Sequence, residues 1–369
     1  MSPEPTLPKP GEPCVADLVP ALLGPKPPAW LPAPVVGARA VVLLVLDGLG
    51  WKQLQRFAAA MPTLTAMTGR HITTVCPSTT AAALTSIATG THPGEHGVVG
   101  YRFDVHGEVL NALRWWTAKG DARKSIAPID VQRIPPFLAS GSPVVTKAEF
   151  RDSGFTQAHL RGTRFVGWRM PSTLVTQIAT LVDAGEPFIY AFYDGIDKIA
   201  HEFGLAAHYV AELEFTDYMV ARLIQQLPSD VALLITADHG QVDVGDRMIK
   251  PSADVLRFVR HQSGEARFRW FHAKSGDAVA LESACRLAFS SHSWVRTRDE
   301  ICDEGWLGRH VTAAAKARLG DVAVIPFEPI GLDDPNDSGS FALVSRHGSA
   351  TDEEMYVPLL ACRGTRGAV

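Results

Sequence analysis

Acidic and histidine side chains follow three apolar stretches of this sequence. Asp47 comes after the first stretch, Asp194 and Asp197 after the second, and Asp238 with His239 after the third. Carboxylate and imidazole groups are ligands for Zn²⁺ and Mn²⁺, and no thiolate accompanies them here. The pattern indicates a metal site that could handle phosphate groups.

Each of these residues also has a structural interpretation. Asp47 and Asp238 could cap the helices that follow them, His201 could be a partly buried packing residue, and His347 could be a loop residue. His201 lies four residues after Asp197, so the two side chains would share one face of a helix and could bind one ion. Taken one at a time, the residues leave both interpretations open.

The hydroxyl-rich stretch Cys76–Gly90 supplies a candidate nucleophile. Its proline and first hydroxyls, Ser78 or Thr79, suit the entry and N-cap of a helix, and its final glycine suits a helix end. Thr80 would lie in the first turn, where the positive end of the helix dipole favours a bonded anionic group. We therefore predict Thr80 as a nucleophile that can hold a phosphoryl group. The alternative is an alanine-rich packing helix.

The elements that must position these residues alternate between strands and helices. The apolar runs 38–46, 187–193 and 231–236 are typical of strands buried on both faces. With helices between them, they predict an α/β fold with a doubly wound, mostly parallel central sheet flanked by helices. Ligands bind at the carboxyl ends of such strands, where the acidic side chains lie. Further strands are predicted at 71–75, 109–115, 143–146, 266–271, 278–281, 321–325, 340–345 and 357–362.

Composition divides the chain into a core and two other regions. Residues 1–37 are rich in proline, with one short amphipathic piece around Val15–Leu23, and are predicted to run extended over the surface as an N-terminal extension. Residues 38–249 and 331–369 form the predicted core. Residues 250–330 mix short elements with more charge, which predicts a small α+β insertion or cap. This insertion could screen substrates or form an oligomer interface.

Overall composition restricts the class of protein. The chain of 369 residues is 46% hydrophobic and carries a net charge of −4, so we expect neither a nucleic acid polymer nor a membrane as a bulk partner. Its five cysteines form no CxxC pair, which argues against a disulfide framework or a thiolate zinc site. Neither a secretory signal nor a membrane-spanning run is visible, and we expect a cytoplasmic protein.

Five motifs occur in a fixed order along the chain. They are Val45–Gly48 (VLDG), Pro77–Thr80 with Ser86–Gly90 and His92–Gly97, Asp197-x-x-x-His201, Ala237–Gly240 (ADHG) and Arg346–Gly348 (RHG). Together they resemble the alkaline phosphatase superfamily, and they are most similar to its nucleotide pyrophosphatase/phosphodiesterase branch. The resemblance runs from about residue 39 to residue 362.

The resemblance implies a site for two zinc ions, with Mn²⁺ as an alternative. The ligands that it implies are Asp47, Asp238, His239 and the nucleophile Thr80 for one ion, and Asp197, His201 and His347 for the other. Thr80 is chosen over Thr79 by counting back from Gly90. Zinc would activate the Thr80 hydroxyl for in-line attack on phosphorus, which gives a phosphothreonine or its ester that water then hydrolyses. His92 and His96 are predicted to structure their loop.

The chain departs from this branch after the nucleophile. Ala83 stands where the branch carries an asparagine that donates to a phosphate oxygen, and Ala81-Ala82 replaces a Phe-Pro pair. Another donor is then needed, either a backbone N–H or Arg102, which could equally be a solvated surface side chain. The disulfides and signal peptide of the extracellular members are also missing. These differences affect the substrate more than the metal site.

The function predicted from these features is metal-dependent hydrolysis of phosphodiester or nucleotide pyrophosphate bonds in a small phosphorylated substrate, such as a nucleotide. A second hypothesis is hydrolysis of phosphomonoesters, phosphonates or sulfates at the same site. A third is a catalytically idle metal-binding or interaction protein, although the full set of ligand-type residues argues against it. The natural substrate, the residues that bind it and the oligomeric state are not predicted.

Overall fold

A computed structural model describes residues 3–337 and 343–367. Within these residues the strands are β1 (Ala40–Leu46), β2 (Thr68–Thr73), β3 (Arg102–Val105), β4 (Glu108–Asn111), β5 (Trp116–Thr117), β6 (Gly120–Asp121), β7 (Pro143–Lys147), β8 (Arg164–Trp168), β9 (Phe188–Tyr193), β10 (Val231–Thr236), β11 (Val242–Asp243), β12 (Met248–Ile249), β13 (Val259–Glu265), β14 (Phe268–Ala273), β15 (Ser293–Thr297), β16 (Val322–Pro326), β17 (Gly331–Leu332), β18 (Ser345–Arg346) and β19 (Tyr356–Arg363).

The α-helices of the same residues are α1 (Leu18–Leu23), α2 (Trp51–Arg56), α3 (Pro62–Thr65), α4 (Thr80–Thr89), α5 (Pro93–His96), α6 (Pro128–Val131), α7 (Gly154–His159), α8 (Pro171–Asp183), α9 (Gly195–Phe203), α10 (Ala207–Gln226), α11 (Ala253–Leu256), α12 (Ala278–Phe289), α13 (Arg298–Asp303), α14 (Ala313–Lys316) and α15 (Asp352–Met355). None of these helices is long and apolar enough to cross a membrane.

A seven-stranded sheet forms the centre of the molecule, in the order β2-β19-β10-β1-β9-β7-β8. β1 pairs parallel with β10 and β9, and β7 pairs parallel with β9 and β8, whereas β19 is antiparallel to both of its neighbours. Every residue of β9 and β10 is buried, as expected for continuous apolar runs at the centre of a parallel sheet. The predicted α/β class is confirmed.

Helices cover this sheet with apolar faces. In α8 the buried residues Leu174, Ile178 and Val182 follow one another at four-residue spacing, which places them on one face of the helix. That face packs against β7, β8 and β9. The sequence pattern therefore explains both the helix and its position.

The residues predicted to form an insertion contain a second, smaller sheet. β13, β14, β16 and β15 form a four-stranded antiparallel sheet in that order, and α12 packs against it. The strand predicted at 278–281 is wrong, because these residues begin α12. Leu281, Cys285 and Phe289 are its buried residues, and a short apolar run such as 278–281 does not by itself distinguish a helix from a strand.

The N-terminal region is more buried than predicted. An extended surface course is wrong for residues 15–23, which form a 3-10 turn followed by α1. Val15, Leu18 and Val19 have no exposed surface, and the turn packs against α4. The gain from burying these side chains outweighs the effect of the surrounding prolines, since each contributes about 1.5–3 kcal/mol.

The last part of the chain returns to the core. Of the strand predicted at 340–345, residues 340–342 lie outside the described residues. Ser345 begins β18, which pairs antiparallel with β11. The strand predicted at 357–362 is confirmed as β19.

Candidate metal centre

The helix that carries the candidate nucleophile, α4, begins at Thr80 and ends at Thr89, and its C-cap Gly90 has a φ of 70°. The predicted cap by a hydroxyl is wrong, since the N-cap Thr79 makes no side-chain capping bond. Instead the Ser78 hydroxyl donates to the Ser349 carbonyl oxygen (2.6 Å) and accepts the Gly348 N–H (3.2 Å). These bonds fix the start of α4 to the loop that contains His347.

Asp47, Asp238 and His239 form one cluster at the carboxyl ends of β1 and β10. His239 Nε2 lies 3.5 Å from Asp47 Oδ1 and 3.4 Å from Asp238 Oδ2. The Thr80 Oγ1 atom lies 3.1 Å from the same nitrogen. Because β1 and β10 are parallel neighbours, their ends meet at one edge of the sheet. The structure therefore brings together these four sequence-predicted residues.

Asp197, His201 and His347 lie beside this first cluster. His201 Nε2 is 3.3 Å from Asp197 Oδ2, and His347 Nε2 is 3.8 Å from Asp197 Oδ1. Asp197 and His201 belong to α9, where a spacing of four residues puts them on one face. The rings of His239 and His347 stack with centroids 3.5 Å apart. The two clusters are thus continuous.

The three histidines of these clusters share one orientation. The Nδ1 atom of each lies within hydrogen-bond distance of a backbone carbonyl oxygen: His201 of Ser345 (2.7 Å), His239 of Gly240 (3.0 Å) and His347 of Ser78 (3.0 Å). An Nδ1–H that donates to a carbonyl leaves the Nε2 lone pair free, as in histidines that bind metals. Each Nε2 is the atom that faces a carboxylate.

The electrostatics of the clusters fit a bound cation. Asp47 Oδ1 and Asp238 Oδ2 are buried and have no hydrogen-bond partner among the described residues. Burial and the neighbouring Asp238 carboxylate hold the pKa of Asp47 well above its usual value. Burial, with His239 and His201 nearby, holds the pKa of His347 well below its usual value. Buried, unpartnered carboxylates and neutral imidazoles cost free energy alone and fit a divalent metal ion.

Two neighbouring residues were missed by the sequence analysis. The Gln241 side-chain amide donates to Asp197 Oδ1, and the Gln241 amide oxygen accepts the Ser345 hydroxyl at 3.1 Å. Lys147 Nζ binds Asp194 Oδ2 at 2.7 Å, so this acid at the end of β9 belongs to an ion pair rather than to a metal cluster. Gln241 directly follows the ADHG motif, but its contacts with Asp197 and Ser345 depend on the fold and could not be predicted from the sequence.

Two other residues of the sequence analysis have structural environments. The interpretation of Arg102 as a solvated surface side chain is wrong, because it is buried with its Nη1 atom 2.9 Å from Asp334 Oδ2. His96 structures its loop as predicted, with Nε2 2.9 Å from Ser86 Oγ and Nδ1 accepting the Val98 N–H. Neither is a ligand in the two clusters.

Two cavities meet at Thr80. The first, of about 230 Å³, is lined mainly by apolar and aromatic side chains, including Phe155 and Phe192. The second, of about 270 Å³, includes Arg114 and Arg346. The Arg346 Nε atom is buried without a hydrogen-bond partner among the described residues. Its N–H could therefore donate to a ligand in this cavity.

Residues 41–293 match the family described as type I phosphodiesterase / nucleotide pyrophosphatase. The chain belongs to this family. The family consists of metal-dependent hydrolytic enzymes, and the chain is accordingly a phosphoric ester hydrolase. No curated protein matches it by sequence.

Solved structures with the same fold belong to the alkaline phosphatase superfamily. Human ectonucleotide pyrophosphatase/phosphodiesterase 5 is 16% identical over 89% of this chain and 90% of that one, with a TM-score of 0.66. An inactive variant of the murine protein, solved with AMP, has alanine in place of a threonine; it is 16% identical over 87% of both chains (TM-score 0.64).

A bacterial enzyme has a similar structure. Phosphonoacetate hydrolase from Sinorhizobium meliloti, in complex with phosphonoformate, is 18% identical over 89% of this chain and 91% of that one, with a TM-score of 0.65. At these identities the likeness shows the fold, and it confirms the predicted alkaline-phosphatase-like fold class.

Proposed function

We propose that the chain hydrolyses phosphodiester or nucleotide pyrophosphate bonds, with Thr80 as nucleophile at a site for two zinc ions. The observation that carries this proposal is the position of the Thr80 hydroxyl, 3.1 Å from His239 Nε2 and at the first residue of α4. A nucleophile there has ligand-type side chains on one side and helix N–H groups on the other.

The donor groups of the two clusters support this assignment. Asp47, Asp238 and His239 would hold one ion with Thr80, and these three ligand-type residues lie close enough together for this. Asp197, His201 and His347 would hold the other; His347 and Asp197 are also close enough to His239 to share an ion. When bound, the ions supply positive charge that lowers the pKa of the Thr80 hydroxyl and neutralises the phosphoryl oxygens.

The chemistry assigned to Thr80 is a double displacement. The Thr80 oxygen loses its proton to water and bonds to phosphorus, while the bond from phosphorus to the leaving-group oxygen breaks with its electron pair. Water then loses a proton and bonds through its oxygen to phosphorus, while the bond from phosphorus to the Thr80 oxygen breaks with its electron pair and Thr80 recovers a proton. The N–H groups in the first turn of α4 can donate to the nonbridging oxygens. The side chain of Ala83 cannot donate such a hydrogen bond.

The cavities support a small phosphorylated substrate. The apolar cavity with Phe155 and Phe192 suits a flat, uncharged part of the substrate such as a nucleobase, since aromatic rings stack on such groups. The related murine protein was solved with AMP. Hydrolysis of monoesters, phosphonates or sulfates is the second candidate. It is favoured by Arg114 and Arg346 in the other cavity, which could bind an additional anionic group.

The experiment compares bis(p-nitrophenyl) phosphate with p-nitrophenyl phosphate, using zinc-loaded and chelator-stripped protein. Thr80→Ala is expected to abolish turnover but to retain bound zinc. Thr79→Ala is the matched control, because it removes the adjacent hydroxyl, and it is expected to retain turnover. Preference for the diester supports the first proposal, and preference for the monoester supports the second. Turnover by Thr80→Ala, or a protein that binds no metal, would contradict both.

A further inference from the structure

We propose a further metal site, formed by Asp104, His261 and His272 and separate from the two clusters above. Ligand atoms of these three residues lie within 4.8 Å of one another. Asp104 is in β3, and the two histidines are in β13 and β14 of the insertion sheet. Two imidazoles with one carboxylate form a donor set for a divalent transition-metal ion, with Zn²⁺ as the probe.

The backbone brings the two histidines together. His261 and His272 are directly opposite on β13 and β14, next to a β-bulge between Val259 and His261. Opposite residues of an antiparallel pair share one face of the sheet, and a bulge redirects the side chains beside it. The two rings stack with centroids 4.0 Å apart.

The Asp104 carboxylate lies close to His261, in a geometry that is poor for a hydrogen bond. Asp104 Oδ2 lies 3.2 Å from His261 Nε2, yet this nitrogen is buried and has no hydrogen-bond partner among the described residues. The other oxygen, Asp104 Oδ1, accepts the Gly107 N–H at 2.7 Å. Two ligand atoms that lie close together and do not bond to each other are expected where both are directed at a third atom.

The first metal centre shows the same arrangement. There His239 and His347 stack at 3.5 Å, and His239 Nε2 lies 3.5 Å from Asp47 Oδ1, an oxygen with no hydrogen-bond partner among the residues described. Both places thus combine stacked imidazoles with a carboxylate that none of the ring nitrogens satisfies. This internal likeness favours an ion over a plain histidine–aspartate ion pair.

His272 is prepared for coordination by its surroundings. It is 3% exposed, and its ring is held against that of His261. The Ser263 hydroxyl lies 2.8 Å from His272 Nε2. A hydrogen bond of this kind fixes the orientation of a metal-binding imidazole.

An ion at this place would join two parts of the chain. β3 belongs to the small sheet β3-β4-β5-β6, whereas β13 and β14 belong to the insertion sheet. Tyr101, next to β3, lines the cavity at Thr80. The ion would therefore fix a wall of that cavity to the insertion without taking part in the reaction.

The test counts bound zinc by mass spectrometry of the metal in the full-length chain. Asp47→Asn with Asp197→Asn removes one ligand from each catalytic cluster, and this background is expected to retain one equivalent. Adding His261→Gln or Asp104→Asn to this background should abolish the binding of the remaining equivalent of zinc. Adding His106→Asn, which changes an exposed histidine of the same hairpin, should leave one equivalent.

Two results would overturn the site: a background protein that binds no zinc, or one equivalent that survives both His261→Gln and Asp104→Asn. If the background protein does not fold, the same comparison is made between wild type and His261→Gln. Wild type should then hold one equivalent more, and equal counts contradict the proposal. A failure of the catalytic proposal would instead appear as a wild type that binds no more zinc than the Asp47→Asn, Asp197→Asn background.

Discussion

Replacing Gln241 by leucine tests whether the surroundings of the metal ligands matter. Gln241 is buried and donates its amide N–H to Asp197 Oδ1, while its amide oxygen accepts the Ser345 hydroxyl. Leucine has a similar volume but removes both bonds, so one carboxylate oxygen of Asp197 loses its fixed direction. Loss of such a support typically costs 10–100-fold in metal affinity, or about 1.4–2.7 kcal/mol at 25 °C.

A matched control separates metal affinity from general stability. Gln132 is also buried, and its amide donates to the backbone carbonyl oxygens of Ile134 and Ala158. Gln132→Leu should therefore lower the free energy of unfolding by about 1–3 kcal/mol and leave zinc affinity unchanged. The assay is competition for zinc with a chelator of known affinity. A zinc affinity for Gln241→Leu within threefold of wild type, or an equal loss in Gln132→Leu, would refute the reasoning.

Three further predictions concern stability and are measured by urea unfolding. Arg267 and Glu354 form a fully buried ion pair with two hydrogen bonds (2.7 and 3.0 Å). Arg267→Met should lower the free energy of unfolding by about 3–5 kcal/mol, and the double variant Arg267→Met with Glu354→Gln should lower it less. A larger loss in the double variant would contradict the account. Burial lowers the pKa of His159 to about 4, so below pH 6.5 the unfolded chain binds a proton at this residue that the folded chain does not bind. This group alone should lower the free energy of unfolding by about 2 kcal/mol between pH 6.5 and 5. His159→Gln should remove that part of the dependence of stability on pH. A Cβ atom on Gly240 would lie 1.9 Å from the Glu353 carbonyl oxygen, so Gly240→Ala should cost at least about 1–3 kcal/mol, and a neutral effect would show that the backbone moves freely there.

The central sheet and the candidate ligands were predictable for one physical reason. Parallel strands buried on both faces must be apolar throughout, so their ends are visible in the sequence as abrupt changes to Asp47, Asp194 and Asp238. Those ends necessarily meet at one edge. The helical spacing of Asp197 and His201 was sufficient to place them side by side.

The features that the sequence did not reveal depend on tertiary contacts. The Ser78 hydroxyl was predicted to cap a helix but bonds to the distant loop of Ser349, because long-range partners compete with local capping. Residues 278–281 formed a helix where a strand was predicted, since a four-residue apolar run has no distinguishing period. The pairing of Asp104 with His261, 157 positions further along the chain, has no local signal.

The domain boundaries at residues 37, 249 and 330 stay predictions. The role of the predicted insertion also stays a prediction, although a side chain of its small sheet region contacts the predicted core. Arg267, which precedes β14, reaches Glu354 in α15. A contact of this kind would limit independent movement of the two parts.

The stereochemical course at phosphorus tests the central claim most directly. A phosphorothioate diester that is chiral at phosphorus is hydrolysed in isotopically labelled water, and the configuration of the product is determined. Two in-line displacements, one by Thr80 and one by water, predict net retention of configuration. Net inversion would mean that water attacks the substrate directly, and it would contradict the assignment of Thr80 as the nucleophile.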